Sequence, residues 1–109
     1  MRVVFHPEFS RDIRKFEACY SPISEKLAAR FRQEVDDAVA SIRISPRSAG
    51  HLLNCESSLI RELRRKNLRA FPFFVLYGVM ADQLIFGSII PSRSDPLMWL
   101  ARFSGKKRV

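Results

Sequence analysis

The most apolar stretch of the chain is FPFFVLYGV, residues 71–79, and its apolar positions follow the period of two that a β-strand requires. A strand that is apolar on both faces is normally a central strand, covered on each side. We therefore predict that this stretch forms the middle of a sheet. Five of its side chains would lie on one face and two on the other, namely Phe71, Phe73, Val75, Tyr77 and Val79 against Phe74 and Leu76.

Two further strands are predicted beside this one, at 60–65 and at 83–90. The connections at 66–67 and 81–82 are short, and connections of this length join antiparallel neighbours. The sequence thus predicts a three-stranded antiparallel meander. In its last strand, two apolar side chains are expected on one face and three on the other, Ile85 and Ile89 against Leu84, Phe86 and Ile90.

The first half of the chain shows helical periodicity after one short strand at 2–5. A first helix is predicted from Pro7 to about Cys19, with the proline at the first helical position. A second, longer helix is predicted from Pro22 to Ile44, with Ser21 as its N-cap. Because only two residues separate them, the two helices should form an antiparallel hairpin.

The segments that follow the hairpin and the meander are less periodic. Residues 45–58 are rich in turn-forming residues and are predicted to form a loop. Near the other end of the chain, Asp95 is a suitable N-cap for a short helix that begins at Pro96 and runs to about Phe103. The fold class that results is α+β.

Length and cysteine content limit the class of protein. At 109 residues the chain is predicted to form a single domain, 1–109. It has no apolar run that would suit a signal peptide or a membrane span, so a cytoplasmic protein with no membrane association is expected. Cys19 is expected to be buried on the first helix and Cys55 to lie in the loop. Their spacing fits neither a disulfide framework nor a metal motif, and no cofactor or metal is predicted.

The net charge of +8 is concentrated in the second half of the chain. Residues 1–59 contain nine basic and eight acidic side chains, whereas residues 60–109 contain ten and three. Five cations stand in nine positions directly before the central strand. Such a surface suits a polyanion, whether nucleic acid, an anionic membrane surface or an acidic protein segment. The alternative is a basic surface that serves solubility alone.

The segments LRRKNLRAFPFFVLYGV and IIPSRSDPLMWLAR and the opening VVFHPEFSRDI accompany a strand and a helical hairpin that precede a meander and a short terminal helix. Order and motifs together resemble the RelE/ParE toxin superfamily. The stretch LRRKNLRAFPFFVLYGV is similar to that family's basic strand and "RRFPY" strand, and IIPSRSDPLMWLAR is similar to its closing "H.RRDP..W..R" segment. The opening VVFHPEFSRDI is similar too. The matching residues are Phe71, Pro72, Tyr77, Arg93, Asp95, Pro96, Trp99 and Arg102, with Ser94 inserted.

This resemblance implies the toxin of a bacterial type II toxin-antitoxin pair, neutralised by a cognate antitoxin and contacting operator DNA only through that antitoxin. ParE-like members poison DNA gyrase, and RelE-like members cleave mRNA on the ribosome. The closing segment is more similar to the ParE-like branch. A third reading is an inactive member that acts only as an antitoxin-binding co-repressor.

Nuclease chemistry requires a base, an acid and cations that stabilise the phosphorane. Arginine stays protonated and cannot be the base, which leaves Lys66, Tyr77 or His51, and no catalytic residue is assigned. Phe73 stands where the family usually has tyrosine, and no histidine precedes the RDP-like element. Gyrase inhibition is therefore the preferred reading, because it needs no proton-transfer group.

Basic side chains are the main site candidates. Tyr77 and Trp99 are secondary candidates whose alternative role is packing, and Arg102 could instead serve the C-terminus of its helix. The candidates for binding the target or a phosphate are Arg61, Arg64, Arg65, Lys66, Arg69, Arg93 and Arg102.

Overall fold

The computed structural model describes residues 1–53, 62–80 and 82–103. The chain forms an α+β fold in which helices cover both faces of one mixed sheet. In chain order the helices and strands are β1 (Arg2–Phe5), α1 (Pro7–Tyr20), α2 (Glu25–Ile44), α3 (Pro46–Ala49), β2 (His51–Leu52), β3 (Glu62–Asn67), β4 (Phe73–Met80), β5 (Gln83–Pro91) and a C-terminal 3-10 helix (Pro96–Phe103).

The five strands lie in the order β1-β5-β4-β3-β2. The predicted meander is present as β3, β4 and β5, but the sheet is larger than predicted. β1 adds to β5 in parallel, and β2 adds to β3 in the antiparallel sense. β4 is central, as predicted, and seven of its eight residues are buried. The two added strands have four and two residues, too few for a sequence pattern to reveal which neighbour they pair with.

Each face of β4 belongs to a separate apolar cluster, as the period of two predicted. Val75 and Tyr77 pack in the first cluster, beneath α1 and α2, together with Phe31. Phe74 and Leu76 pack in the second cluster, on the face that the C-terminal 3-10 helix covers. Trp99 of that helix packs against this second cluster, which supports its packing role.

A β-bulge in β5 changes the faces predicted for that strand. The bulge falls at Gly87, since Tyr77 pairs with Phe86 while the preceding Leu76 pairs with Ser88. One extra residue reverses the alternation beyond it. The faces predicted for the end of β5 are therefore wrong. Ile89 joins Leu84 and Phe86 in the first cluster, and Ile90 lies with Ile85 in the second.

The first helix ends one residue after its predicted end, but the start of the second is three residues later than predicted. Ser21 still belongs to the end of α1, where its N–H donates to the carbonyl of Glu17 at 3.1 Å. The N-cap of α2 is Ser24, whose Oγ accepts from the N–H of Leu27 at 3.2 Å. Pro22 thus lies in the turn between the helices and does not open the second one.

The turn between β3 and β4 also lies further along the chain than predicted. Lys66 and Asn67 are strand residues, opposite Val75 and Phe74, and the turn occupies 68–72. Glu34 of α2 stabilises this turn, because its Oε1 accepts from the backbone N–H groups of residues 69 and 70 at 2.9 and 3.0 Å. Because Glu34 precedes the turn by thirty-five residues, no local sequence pattern indicates this contact.

Part of the predicted loop is ordered, and one cysteine lies in a different environment from the one expected. The loop prediction was wrong for 46–49 and 51–52, which form α3 and β2. Cys55 lies outside the described residues. Cys19 was predicted to be buried, but it is exposed, and its Sγ donates to the carbonyl of Lys15 at 3.5 Å. The residue faces solvent because it falls off the buried stripe of α1, which contains Phe9 and Ile13.

Candidate functional site

The basic residues of β3 do not form one patch, because the strand directs successive side chains to opposite faces. Arg64 pairs with Tyr77, which packs on the helical side of the sheet. Arg65 lies over the ring of Phe74, which packs on the opposite side. Arg61, the first of the predicted cluster, lies outside the described residues.

Arg64 is held within the fold by three acceptors. Its Nε donates to Oε2 of Glu62 at 3.2 Å, and its Nη1 donates to the carbonyls of Arg47 and Gly50 at 3.0 and 3.1 Å. Only 14% of the side chain is exposed. Glu62 also receives a 3.0 Å bond from Nε of Arg47. Arg64 therefore fastens α3 and the residues after it to β3.

Arg65 is partly exposed and stacked on an aromatic ring. Its Cζ lies 3.8 Å from the centroid of Phe74, within the range of a strong cation-π contact. Its Nη2 donates to Oδ1 of Asn67 at 2.8 Å, which fixes the guanidinium plane along the strand. His51 of β2 pairs with Arg65, so an exposed imidazole stands beside this guanidinium on the sheet.

The remaining candidates reach the surface at other places. Lys66 is half-buried and lines a groove between α2 and β3 with Asp37 and Ser41. Arg69 is exposed in the turn between β3 and β4, and Arg93 is exposed in the turn after β5. The structure thus distributes the candidate cations over several surfaces and does not gather them in one cleft.

Tyr77 is fully buried, and its hydroxyl donates to the carbonyl of Pro46 at 2.7 Å. Burial raises the pKa of this phenol, an effect that the nearby Arg64 partly offsets. Gly50 packs so closely that a Cβ there would lie 2.6 Å from the Tyr77 hydroxyl. The hydroxyl therefore holds the first residue of α3 against β4. Because the side chain is fully buried, the hydroxyl is not accessible for proton exchange with a substrate.

Arg102 takes part in a polar network that crosses the edge of β5. Its Nη1 donates to Oδ2 of Asp12 at 2.7 Å and to the carbonyl of Gly87 at 2.9 Å. The same Asp12 oxygen accepts from Oγ of Ser88 at 2.6 Å and from the N–H of Ile89 at 3.3 Å. Because β1 pairs no further than Phe86, these side chains satisfy edge groups of β5 that no strand reaches.

His6 stands beside this network and was not identified from the sequence. Its Nδ1 accepts from the N–H of Glu8 at 3.1 Å and so caps α1. Burial lowers the pKa of His6, and the charge of Arg102 lowers it further, while Glu8 and Asp12 act in the opposite direction. The start of α1 at His6 and Pro7 is visible in the sequence. The proximity of His6 to Arg102 is not, because Arg102 lies almost a hundred positions later in the chain.

An apolar groove between α1 and α2 was also missed. It has a volume of about 450 Å³, and it is lined by apolar side chains of both helices and by Phe5, which is 46% exposed. Arg32 and Arg43 of α2 line it as well. The apolar lining residues are Phe5, Phe9, Ile13, Val35 and Val39. Spacings of four residues on both helices are the signal that could have found it.

Two features are absent from the described residues. No helix among them is long and apolar enough to cross a membrane. Within the same ranges, no group of three or more histidine, cysteine or carboxylate side chains is placed to hold a metal ion.

The fold is similar to that of a chain from the solved structure "Chromosomal ParDE TA system from P. aeruginosa". The TM-score is 0.67 at 17% sequence identity, and the similar region covers 84% of this chain and 95% of the other. No protein-family model and no curated protein matches the sequence. At this identity the likeness establishes the fold alone and carries no residue of the site with it.

Proposed function

We propose that the chain is the toxin of a type II toxin-antitoxin pair, that it arrests growth by ParE-like inhibition of DNA gyrase, and that a cognate antitoxin neutralises it in the cytoplasm. The observation that carries this proposal is the fold similarity to a chain of a ParDE system, which covers 84% of this chain and 95% of the other. Operator DNA would be contacted through the antitoxin.

The target-binding surface in this proposal consists of the exposed cations and excludes the anchored ones. Arg64 and Arg102 are engaged in the fold through Glu62 and Asp12. Arg69 and Arg93 are exposed, so their charge is available to a partner. Arg65 and Lys66 are partly exposed on opposite faces of the sheet, and each is proposed as a further contact for the target. Positive charge favours association with an acidic surface and accelerates encounter.

The antitoxin is assigned to the groove between α1 and α2. A groove lined by apolar side chains of two helices suits an amphipathic helix that inserts side chains at spacings of three and four residues. Arg43 lines this groove and would attract acidic residues of that segment. Arg32 lies eleven residues earlier on α2, roughly 16 Å along the helix, and its Nε is bonded to Oδ1 of Asp36 at 3.4 Å. The positive net charge of the chain supports an acidic partner.

A paired growth and enzyme assay tests the proposal. Induced expression in bacteria should arrest growth, and the purified chain should inhibit supercoiling by gyrase. The double variant Arg69→Glu with Arg93→Glu should lose both effects while keeping its melting temperature. The control, Arg14→Glu with Arg30→Glu, changes the net charge equally at exposed positions of the helical hairpin and should retain both effects.

Three outcomes would overturn parts of the proposal. Cleavage of mRNA on ribosomes with gyrase unaffected would favour the RelE-like alternative. Neither effect, together with binding to an antitoxin, would identify an inactive partner and co-repressor. Equal loss of activity in the two double variants would show that net charge matters and that the proposed surface does not.

A further inference from the structure

A small apolar pocket lies next to the start of α1, on the same side of the sheet as the C-terminal 3-10 helix. Its volume is about 300 Å³, at the low end of the range for small-molecule sites. Val4, Met80, Ile85 and Phe103 supply apolar lining, and the last three pack in or against the second apolar cluster. His6, Gln83 and Arg102 supply the polar side chains. The pocket plays no part in the function proposed above.

These polar side chains all present hydrogen-bond donors. Nδ1 of His6 already accepts from Glu8, so the proton of the neutral imidazole is on Nε2. The amide oxygen of Gln83 accepts from Arg2, which leaves its NH2 group as a donor. Arginine has donors only. An apolar pocket whose polar groups all donate is complementary to a ligand that has an apolar body and an accepting head group.

The guanidinium of Arg102 retains donors for such a ligand. Both of its hydrogen bonds, to Asp12 and to the carbonyl of Gly87, use Nη1. Among the residues that the structure describes, no acceptor is hydrogen-bonded to its Nε or Nη2. Arginine binds carboxylates through paired N–H groups, and charge-assisted bonds of this kind are roughly twice as strong as neutral ones.

One cation and two carboxylates face His6. Arg102 approaches it from the 3-10 helix, and Glu8 and Asp12 face it from α1. The carboxylate of Asp12 is already paired with Arg102. Burial and the charge of Arg102 both lower the pKa of His6, so an anion between the two side chains would counteract the second of these causes.

We propose that this pocket binds a carboxylate joined to a short apolar chain, with the carboxylate between His6 and Arg102 and the apolar chain against Val4, Ile85 and Phe103. Two sources can supply this chemistry. One is a free short-chain carboxylic acid, and the other is the terminal carboxylate of a peptide whose last residue is apolar.

The direct test is a titration of the wild-type chain with 4-methylpentanoate, followed by NMR signals of His6 and of the Met80 methyl group. The signals should shift and saturate, and the uncharged isostere 4-methylpentanamide should bind on the order of tenfold more weakly because it lacks the charge-assisted bonds. Affinity for the acid should increase from pH 7.5 to pH 6, because its binding favours protonated His6. Equal binding of acid and amide, or shifts that never saturate, would overturn the proposal.

Variants and peptides complete the test. His6→Asn keeps a side-chain oxygen that can cap α1, so it should fold, bind 4-methylpentanoate more weakly and lose the pH dependence. His51→Asn changes the other histidine, which is exposed and outside the pocket, and should bind as the wild type does. If circular dichroism shows that His6→Asn is unfolded, the proposal is still tested by comparing how the wild type binds 4-methylpentanoate and 4-methylpentanamide.

The source is decided with the peptide Gly-Gly-Ser-Leu, used with a free and with an amidated C-terminus. Tighter binding of the free-acid peptide than of 4-methylpentanoate identifies a peptide terminus as the ligand. Binding of 4-methylpentanoate alone identifies a free acid. Failure of both carboxylates to bind overturns the site, and none of these results depends on growth arrest or gyrase inhibition.

Discussion

Asp12 in α1 and Arg102 in the C-terminal 3-10 helix form a 2.7 Å ion pair that joins positions ninety residues apart. Their side chains are only 15% and 20% exposed. The pair is also bonded to Gly87, Ser88 and Ile89, so it links both helical layers to the edge of β5. It is thus a polar connection between the helical layers on the two sides of the sheet.

Removal of one partner from this pair should destabilise the fold strongly. Arg102→Met should lower the free energy of unfolding by about 3 kcal/mol, because the carboxylate of Asp12 is then left largely buried without its counter-charge. The control is Arg11→Met, which breaks the exposed pair with Glu8 and should cost less than about 1 kcal/mol. Urea denaturation measures both, and similar costs for the two variants would contradict the role assigned to Arg102.

Gly87 should tolerate no side chain while Phe103 is present. A Cβ at Gly87 would overlap Cζ of Phe103, so Gly87→Ala should cost about 2 kcal/mol through overpacking. In a Phe103→Leu background the additional cost of Gly87→Ala should fall below about 1 kcal/mol. A double-mutant cycle by urea denaturation gives the coupling, and additive costs would show that the bulge and the 3-10 helix are not in steric contact.

Tyr77→Phe should reduce stability without a specific loss of function. The variant removes the donor to the Pro46 carbonyl and should cost about 1–2 kcal/mol. Tyr20→Phe, whose hydroxyl has no hydrogen bond to the described residues, is the control and should cost little. Growth arrest by Tyr77→Phe at 25 °C should match that of the wild type once the amounts of folded protein are equal. A complete loss of arrest in a fully folded Tyr77→Phe variant would reveal a chemical role for the hydroxyl.

Stability should fall on mild acidification because of His6. The pKa of His6 is lowered in the folded state from its usual 6.5, so above pH 6.5 the imidazole is neutral in both states and the stabilisation is complete. As the pH falls below 6.5, His6 takes up a proton in the unfolded chain before it does so in the folded chain. The free energy of unfolding therefore decreases until the pH is below the pKa of His6 in the folded state. Thermal melts between pH 7.5 and 5 measure this slope.

His6→Asn should have a shallower slope over the same range, since it removes the titrating group. His51→Asn keeps His6 and should retain the wild-type slope. Identical slopes in the wild type and His6→Asn would show that His6 does not link protonation to folding.

Local sequence patterns were sufficient for the central strand and for the two long helices. The period of two across Phe73, Phe74 and Val75 gave the correct face for each residue, because β4 is regular and buried on both sides. The same rule already separates Arg64 from Arg65, so the division of the basic cluster was accessible from the sequence. Its failure at Ile89 and Ile90 has a physical cause, the extra residue at Gly87.

The parts that sequence could not supply are contacts between distant segments. Asp12 meets Ser88 and Arg102, and Glu34 meets the turn between β3 and β4, through side chains that no periodicity connects. The pocket beside His6 has the same origin. Whether the exposed arginines Arg69 and Arg93 contact a target stays a prediction, because exposure alone distinguishes them from the anchored arginines.

The parallel pairing of β1 with β5 has a consequence for the rate of folding. Residues 2–5 pair with 83–86, so about eighty residues must be enclosed before this contact can form. The hairpins of β3, β4 and β5 close after a few residues each. Since loop-closure entropy grows with loop length and non-local pairing slows folding, we expect the meander to form early and β1 to join it in the rate-limiting step.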